Sequence, residues 1–176
     1  MVFEEINNIL TNAFPESVVE TIHAGLQPAV VIKKEDLWKV CEFIYTDNRL
    51  YFDFLSCVTA LDNGPEKGTM EIIYHLSSIP FGHNLMLKTV FKRNQDGEPL
   101  PEVPSVSQIW RTAEWHEREA YDLLGIHFVG NQDLRRILLP EDWEGHPLRK
   151  DYQAQERYHG IFVKYEDGER KPESLI

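Results

Sequence analysis

Glu114, Glu117, Glu119 and Asp122 fall within nine residues of one another, with His116 and Arg118 among them. Carboxylates beside a histidine are the material of general acid–base hydrolysis. A hydrolase using Glu117 or Glu119 with a nearby His is therefore one reading of the segment. His116-Glu117 also begins like a zinc-protease helix, but position 120, where a second imidazole would have to stand, is alanine. The other histidines, at 23, 75, 83, 127, 146 and 159, show no metal-ligand spacing. On a helix, Glu114 with Arg118 and Arg118 with Asp122 stand at i, i+4, which predicts a ladder of intrahelical ion pairs worth about 0.2–0.5 kcal/mol each when exposed. That ladder is the simpler account of the charges, because no nucleophile pattern accompanies them.

Two basic pairs follow, Arg135-Arg136 and Arg149-Lys150, set among Ile137, Leu138, Leu139, Trp143, Leu148 and Tyr152. Arginine suits bidentate pairing with carboxylates at interfaces, and large apolar groups beside it favour contact over a solvated charge run. Charge mixed so closely with apolar bulk must be buried in pairs or presented to a partner. Glu117, Arg118, Glu119, Asp122, Arg135, Arg136, Trp143, Arg149, Lys150 and Tyr152 are accordingly the candidate interface residues. Replacing Arg135 and Arg136 together is expected to spare the fold and weaken assembly.

The elements that must position these residues are legible in part. Phe3, Ile6, Leu10 and Ala13 mark a short amphipathic helix stopped by Pro15. Residues 17–22 and 29–32 are β-branched runs separated by Gly25 and Pro28, and Leu37, Val40, Cys41 and Ile44 mark a second helix. Strands are predicted over 51–61, 69–77 and 84–92, with Met70, Ile72, Tyr74 and Leu76 on one face and Glu71, Ile73, His75 and Ser77 on the other. Pro99, Pro101 and Pro104 predict an extended connector without ladder potential. Ser105 with Gln108 resembles a capping box opening a helix that Gly125 would close in the left-handed conformation. Beyond Gly125 neither period is visible. The expected fold is α+β: a two-layer domain over 1–125, helices packed on a mostly antiparallel sheet, then a C-terminal helix and an extended arm over 126–176. Fifty structureless residues are unusual inside a domain, so the arm, which includes Phe162 and Tyr165, is expected to wrap partner proteins.

Composition narrows the function. The chain has 176 residues, 42% hydrophobic and 27% charged, with no apolar run near the roughly 18 residues a membrane span needs. Its net charge is −11, which argues against nucleic acid. Residues 1–125 carry 10 Lys+Arg against 19 Asp+Glu, whereas 126–176 carry 8 against 10, nearly balanced. Cys41 and Cys57 lack CxxC spacing and read as core thiols, and no GxGxxG or GxxxxGK[ST] loop occurs. Met1-Val2-Phe3-Glu4-Glu5 has neither a secretory nor a transit pattern, so a cytosolic, bacterial chain is expected.

The run from Glu117 to Gly130, EREAYDLLGIHFVG, followed by Asp133 to Tyr152, DLRRILLPEDWEGHPLRKDY, closely resembles the signature of the C subunit of NADH-quinone oxidoreductase, a peripheral-arm component of respiratory complex I. Asn131-Gln132 departs from the usual His-Pro of that family, and Gln153 from a usual Pro. The resemblance implies a chain with no catalytic residue and no cofactor or metal of its own. NADH, FMN, iron–sulfur clusters and quinone would belong to partner subunits. It further implies a place beside the quinone-site D subunit and near the B and I iron–sulfur subunits, on the cytoplasmic face of the bacterial plasma membrane, touching the membrane only through partners. An equivalent subunit of a membrane-bound hydrogenase or of a ferredoxin-dependent quinone oxidoreductase is the alternative.

Overall fold

The computed structural model describes residues 1–25 and 27–163, so Tyr165 and the end of the expected arm lie outside it. Helix α1 (Phe3–Ala13) turns Ile6 and Leu10 inward, and the Glu5 carboxylate accepts the Val2 amide at 3.0 Å, half of a capping box. Strands β1 (Val18–Ile22) and β2 (Ala29–Ile32) form a hairpin, and helix α2 (Leu37–Thr46) buries Leu37, Val40, Cys41 and Ile44. Strands β3 (Phe54–Asp62), β4 (Thr69–Ser78) and β5 (His83–Lys92) make the expected meander. The sheet order is β1-β2-β5-β4-β3, antiparallel except between β2 and β5. The α+β class and the mostly antiparallel sheet therefore stand as the pattern implies.

Register puts Val30, Ile32, Leu55, Val58, Met70, Ile72, Tyr74, Leu76, Leu85, Leu87 and Phe91 on one face, where they join the helices in a single core. That is the period-2 alternation of a sheet covered on one side. The opposite face keeps polar groups, among them a Lys88–Glu71 pair. Cys41 is fully buried, which pushes its thiol far up. Cys57 is only half-buried, since its position points away from the core, and so is not the core thiol expected.

Three expectations need correction. Residues 102–104 do pair: β6 (Glu102–Pro104) runs parallel to β7 (His127–Val129). At its ends the Pro101 carbonyl accepts from His127 N–H and the Val129 carbonyl from Ser105 N–H, each at 2.9 Å, so Pro101 joins by its carbonyl and needs no donor. The third helix, α3, is Ala113–Leu124 rather than starting at Ser105. The Ser105 hydroxyl does not cap it but donates to Glu117 at 2.6 Å, while residues 106–110 form a turn. Finally, the core does not stop at Gly125, because Ile126 and Phe128 are fully buried in it.

Trp110 and Thr112 fix where α3 begins. Trp110 Nε1 donates to the Phe52 carbonyl at 2.9 Å and the Thr112 hydroxyl to the Leu55 carbonyl at 3.2 Å, pinning the helix start to the beginning of the edge strand β3 and the residues just before it.

Candidate functional site

Helix α3 carries the charged signature, and the structure buries half of it. Glu117 and Asp122 are fully buried and Arg118 is nearly so, whereas Glu119 and Trp115 face solvent. The i, i+4 ladder is absent among the described residues. Each buried charge reaches instead into the segment after the helix, where backbone groups need partners.

Glu117 accepts from the Ser105 hydroxyl, from the Val106 amide at 2.8 Å and from Asn131 Nδ2 at 2.8 Å. Burial pushes its carboxyl up, and these bonds only partly offset that. Asn131, one of the departures from the signature, is the residue that ties Glu117 to the following loop. Its own Oδ1 accepts the Asp133 amide at 3.0 Å. Arg118 donates to the carbonyls of Arg135 (3.2 Å) and Arg136 (3.1 Å), pairs with Asp133 at 3.4 Å and lies 5.8 Å from the centre of the Trp115 ring.

Asp122 holds the next turn. Its Oδ2 accepts the amides of Ile137 (3.0 Å), Leu138 (2.8 Å) and Leu139 (2.9 Å), and its Oδ1 accepts Arg136 Nη1 at 2.7 Å. Burial would raise its carboxyl, but the bonds from Leu139, Arg136, Leu138 and Ile137 overcome it and hold the group below the usual carboxylate range. Arg136 also donates to the carbonyls of Trp143 (2.8 Å) and Gly145 (3.0 Å).

A helix leaves its last carbonyls unsatisfied, and here the following segment supplies the donors. The Asp122 carbonyl accepts from Arg136 (3.1 Å) and His146 Nδ1 (2.9 Å), that of Leu123 from the Leu148 amide (3.0 Å), and those of Leu124 and Gly125 from Arg149 (2.7 and 3.2 Å). Two arginines at the negative end of the helix dipole are favourable there as charges too. Gly125 takes the left-handed conformation, φ +67°, with the His146 ring against it. A second clasp joins sheet to segment: buried Asp62 accepts Arg93 Nε (3.0 Å) and the Lys150 amide (2.9 Å), and Arg93 also pairs with Asp151.

The candidate residues thus divide. Glu117, Arg118, Asp122, Arg136 and Arg149 converge on the end of α3. Lys150 contributes its backbone amide to the clasp. Trp143 Nε1 donates to the Tyr152 hydroxyl at 3.1 Å, and its ring packs on Tyr158. Glu119 and Arg135 are exposed, Arg135 pairing among the described residues with Asp133 at 2.7 Å. Asp62, Arg93, Asn131 and His146 were not legible as members, because no local spacing links them to α3. The double replacement of Arg135 and Arg136, expected from sequence to spare the fold, is predicted instead to destabilise it, since Arg136 is the partner of buried Asp122. Arg135→Ala is predicted to leave the urea midpoint unchanged, and Arg136→Ala to lower it clearly, as read by circular dichroism.

His146 gives a pH signature. Burial, then the nearby Arg149 and Arg136, hold its imidazole below the ordinary 6.5. The unfolded chain therefore binds that proton at higher pH than the folded one, and stability falls as pH drops from 6.5 towards the folded value. His146→Gln should flatten that part of the stability–pH curve in urea titrations taken between about pH 7 and 5.

Residues 30–158 match the family described as "Respiratory-chain NADH dehydrogenase, 30 Kd subunit". The chain belongs to that family. Among its relatives, the C subunit of NADH-quinone oxidoreductase from Chlorobium phaeobacteroides is 43% identical over 160 residues, covering 90% of this chain and 93% of the relative. The Chloroherpeton thalassium protein of the same name is 40% identical over 158 residues, 89% of this chain, which spans 63% of that relative's length. The fold is shared with a chain in the membrane-bound sulfane sulfur reductase, an archaeal respiratory membrane complex, at TM-score 0.71 and 24% identity over 96% of this chain and 97% of that one. The signature resemblance is thus borne out. Glu117, Arg118, Asp122, Arg136 and Arg149, which form a clamp at the end of α3, all lie in the last third of the matched residues.

Proposed function

We propose that the chain is a non-catalytic peripheral-arm subunit of a proton-translocating NADH:quinone oxidoreductase. It scaffolds the quinone-reducing module beside the D subunit and near the B and I subunits. The observation that carries this reading, within a family of respiratory-chain subunits, is the use made of the signature charges. Glu117 and Asp122 accept hydrogen bonds from their own chain on both carboxylate oxygens, and neither lines the groove beside β3 or the one beside β1, β2 and β5, so they brace the segments that flank α3. The hydrolase alternative would rest on Glu119 and His116, which border a groove of about 230 Å³ beside β3, yet no hydrogen bond or ion pair joins them among the described residues. NADH, FMN, iron–sulfur clusters and quinone are assigned to partner subunits. No helix among the described residues is long and apolar enough to cross a membrane, and we place the chain on the cytoplasmic face, held to the membrane by its partners.

Exposed Leu138, Leu148, Ile161 and Phe162, 49–68% accessible, are the apolar groups that partners would cover. The equivalent subunit of a related membrane complex is the second reading, favoured by the fold shared with the archaeal sulfane sulfur reductase. Tagging the chain in its host, solubilising membranes gently and assaying what co-purifies separates the cases. An NADH-oxidising, quinone-reducing assembly supports the first reading, a hydrogenase or ferredoxin-linked assembly the second, and a solitary monomer with turnover of its own refutes both.

A further inference from the structure

On the helix-free face of the sheet, β1, β2 and β5 meet the 101–104 connector around a groove of about 420 Å³. Its floor is apolar: Val19 and Val90 are 61% and 43% exposed there, Val31 lies buried between their strands on the same face, and Pro101 closes one side. Its rim carries three ammonium groups, from Lys33, Lys34 and Lys92, against one carboxylate, Glu35. Lys34 is held at the rim by donating to the Glu102 carbonyl at 3.0 Å. Neither Lys33 nor Lys92 has a carboxylate within 4 Å among the described residues. Register sets Glu20 opposite Val31 and Glu71, paired with Lys88, opposite Val90, so the excess of positive charge belongs to the groove's own lining, three lysines against one carboxylate in a chain of net charge −11.

We propose that this groove receives an acidic, amphipathic segment of a neighbouring subunit, its apolar side chain on Val19 and Val90 and its carboxylates on the lysine rim. The inference rests on the subunit reading above. Charge complementarity names the occupant: lysines ask for carboxylates, while the floor between them asks for an apolar side chain, and only a peptide segment brings both in register. An anionic bilayer fits less well. The groove is concave, and a chain of this net charge is repelled by an anionic leaflet outside the rim.

Amine acylation with a mass-spectrometric readout, on the free chain and on the assembly isolated from the host, tests it. Lys33 and Lys92 are expected to be protected in the assembly, and carbodiimide should couple one of them to an Asp or Glu of another subunit. The pair Lys33→Glu with Lys92→Glu should lower incorporation about tenfold, with an unchanged urea midpoint, while Lys33→Arg with Lys92→Arg keeps it. Equal acylation in both states overturns the docking inference and leaves the subunit reading standing, as does protection that disappears on delipidation. Failure of the chain to co-purify with any assembly overturns both.

Discussion

Replacing Asp122 with Ala is expected to lower the unfolding free energy by about 3–5 kcal/mol, the range for removing one partner of a buried ion pair. Asp122 is fully buried and Arg136 is 16% exposed at its side chain, so solvent screens the pair little. The variant also strands the Ile137, Leu138 and Leu139 amides, each worth about 1–3 kcal/mol if it stayed dry. Those residues are half-buried or exposed, water can reach some of the amides, and the contributions do not sum. Asp122→Asn should cost less, because an amide oxygen still accepts the backbone donors, although its NH₂ then opposes a guanidinium. Domains of this size hold about 5–15 kcal/mol in total, so the alanine variant should show a much lower urea midpoint and rapid proteolysis within 131–150. Acid sensitivity carries the same mark. The folded Asp122 carboxyl titrates below its unfolded value of 3.8, so its stabilisation is complete above that value and is lost as pH falls through the folded one. Asp122→Asn should remove that component. A midpoint unchanged in both variants would mean that the segment after Gly125 is held by something other than this carboxylate.

The resemblance of 117–152 to a family signature was legible in the sequence, and so was the meander, because Met70, Ile72, Tyr74 and Leu76 alternate strictly with their neighbours. The partners of the signature charges were not. Spacing within a helix proposes i, i+4 pairs, and Arg118 has acceptable ones in Glu114 and Asp122. What decides against them is the number of donors and acceptors left over in 131–149, a segment with no period to read. Its backbone amides and the end of α3 have to be satisfied together. The short β6–β7 pair was hidden for a related reason, since the two residues between Pro101 and Pro104 carry too little pattern. Arg135 and Arg136 look equivalent in sequence, yet one is 70% exposed at its side chain and the other is built into the clamp. Residues 132–139 run through turns and bends, where no period assigns sides, and only the folded chain says which side chain is covered.

Gly125→Ala is the other substitution with a large expected effect, about 2–5 kcal/mol, and it acts through two separate costs. At φ +67° an L residue loses about 1–2 kcal/mol to contact between Cβ and its own carbonyl. A Cβ built there would also lie 2.5 Å from the His146 ring and 2.8 Å from Arg149 Nη2, and overpacking of that kind adds about 1–3 kcal/mol. His146 and Arg149 are the groups that satisfy the Asp122, Leu124 and Gly125 carbonyls, so pushing them aside uncaps the helix as well. Two comparisons separate the costs. Gly125→Asn, tolerated in the left-handed conformation, should relieve the backbone part and keep the clash. Combining Gly125→Ala with His146→Ala should relieve part of the clash and keep the backbone part. Urea midpoints for the three variants are expected to leave Gly125→Ala below Gly125→Asn. The double variant should lose less than its two single changes would sum to, because they act on one contact. Additive losses would show that the His146 ring moves away freely, and that the left-handed turn alone makes glycine necessary at position 125.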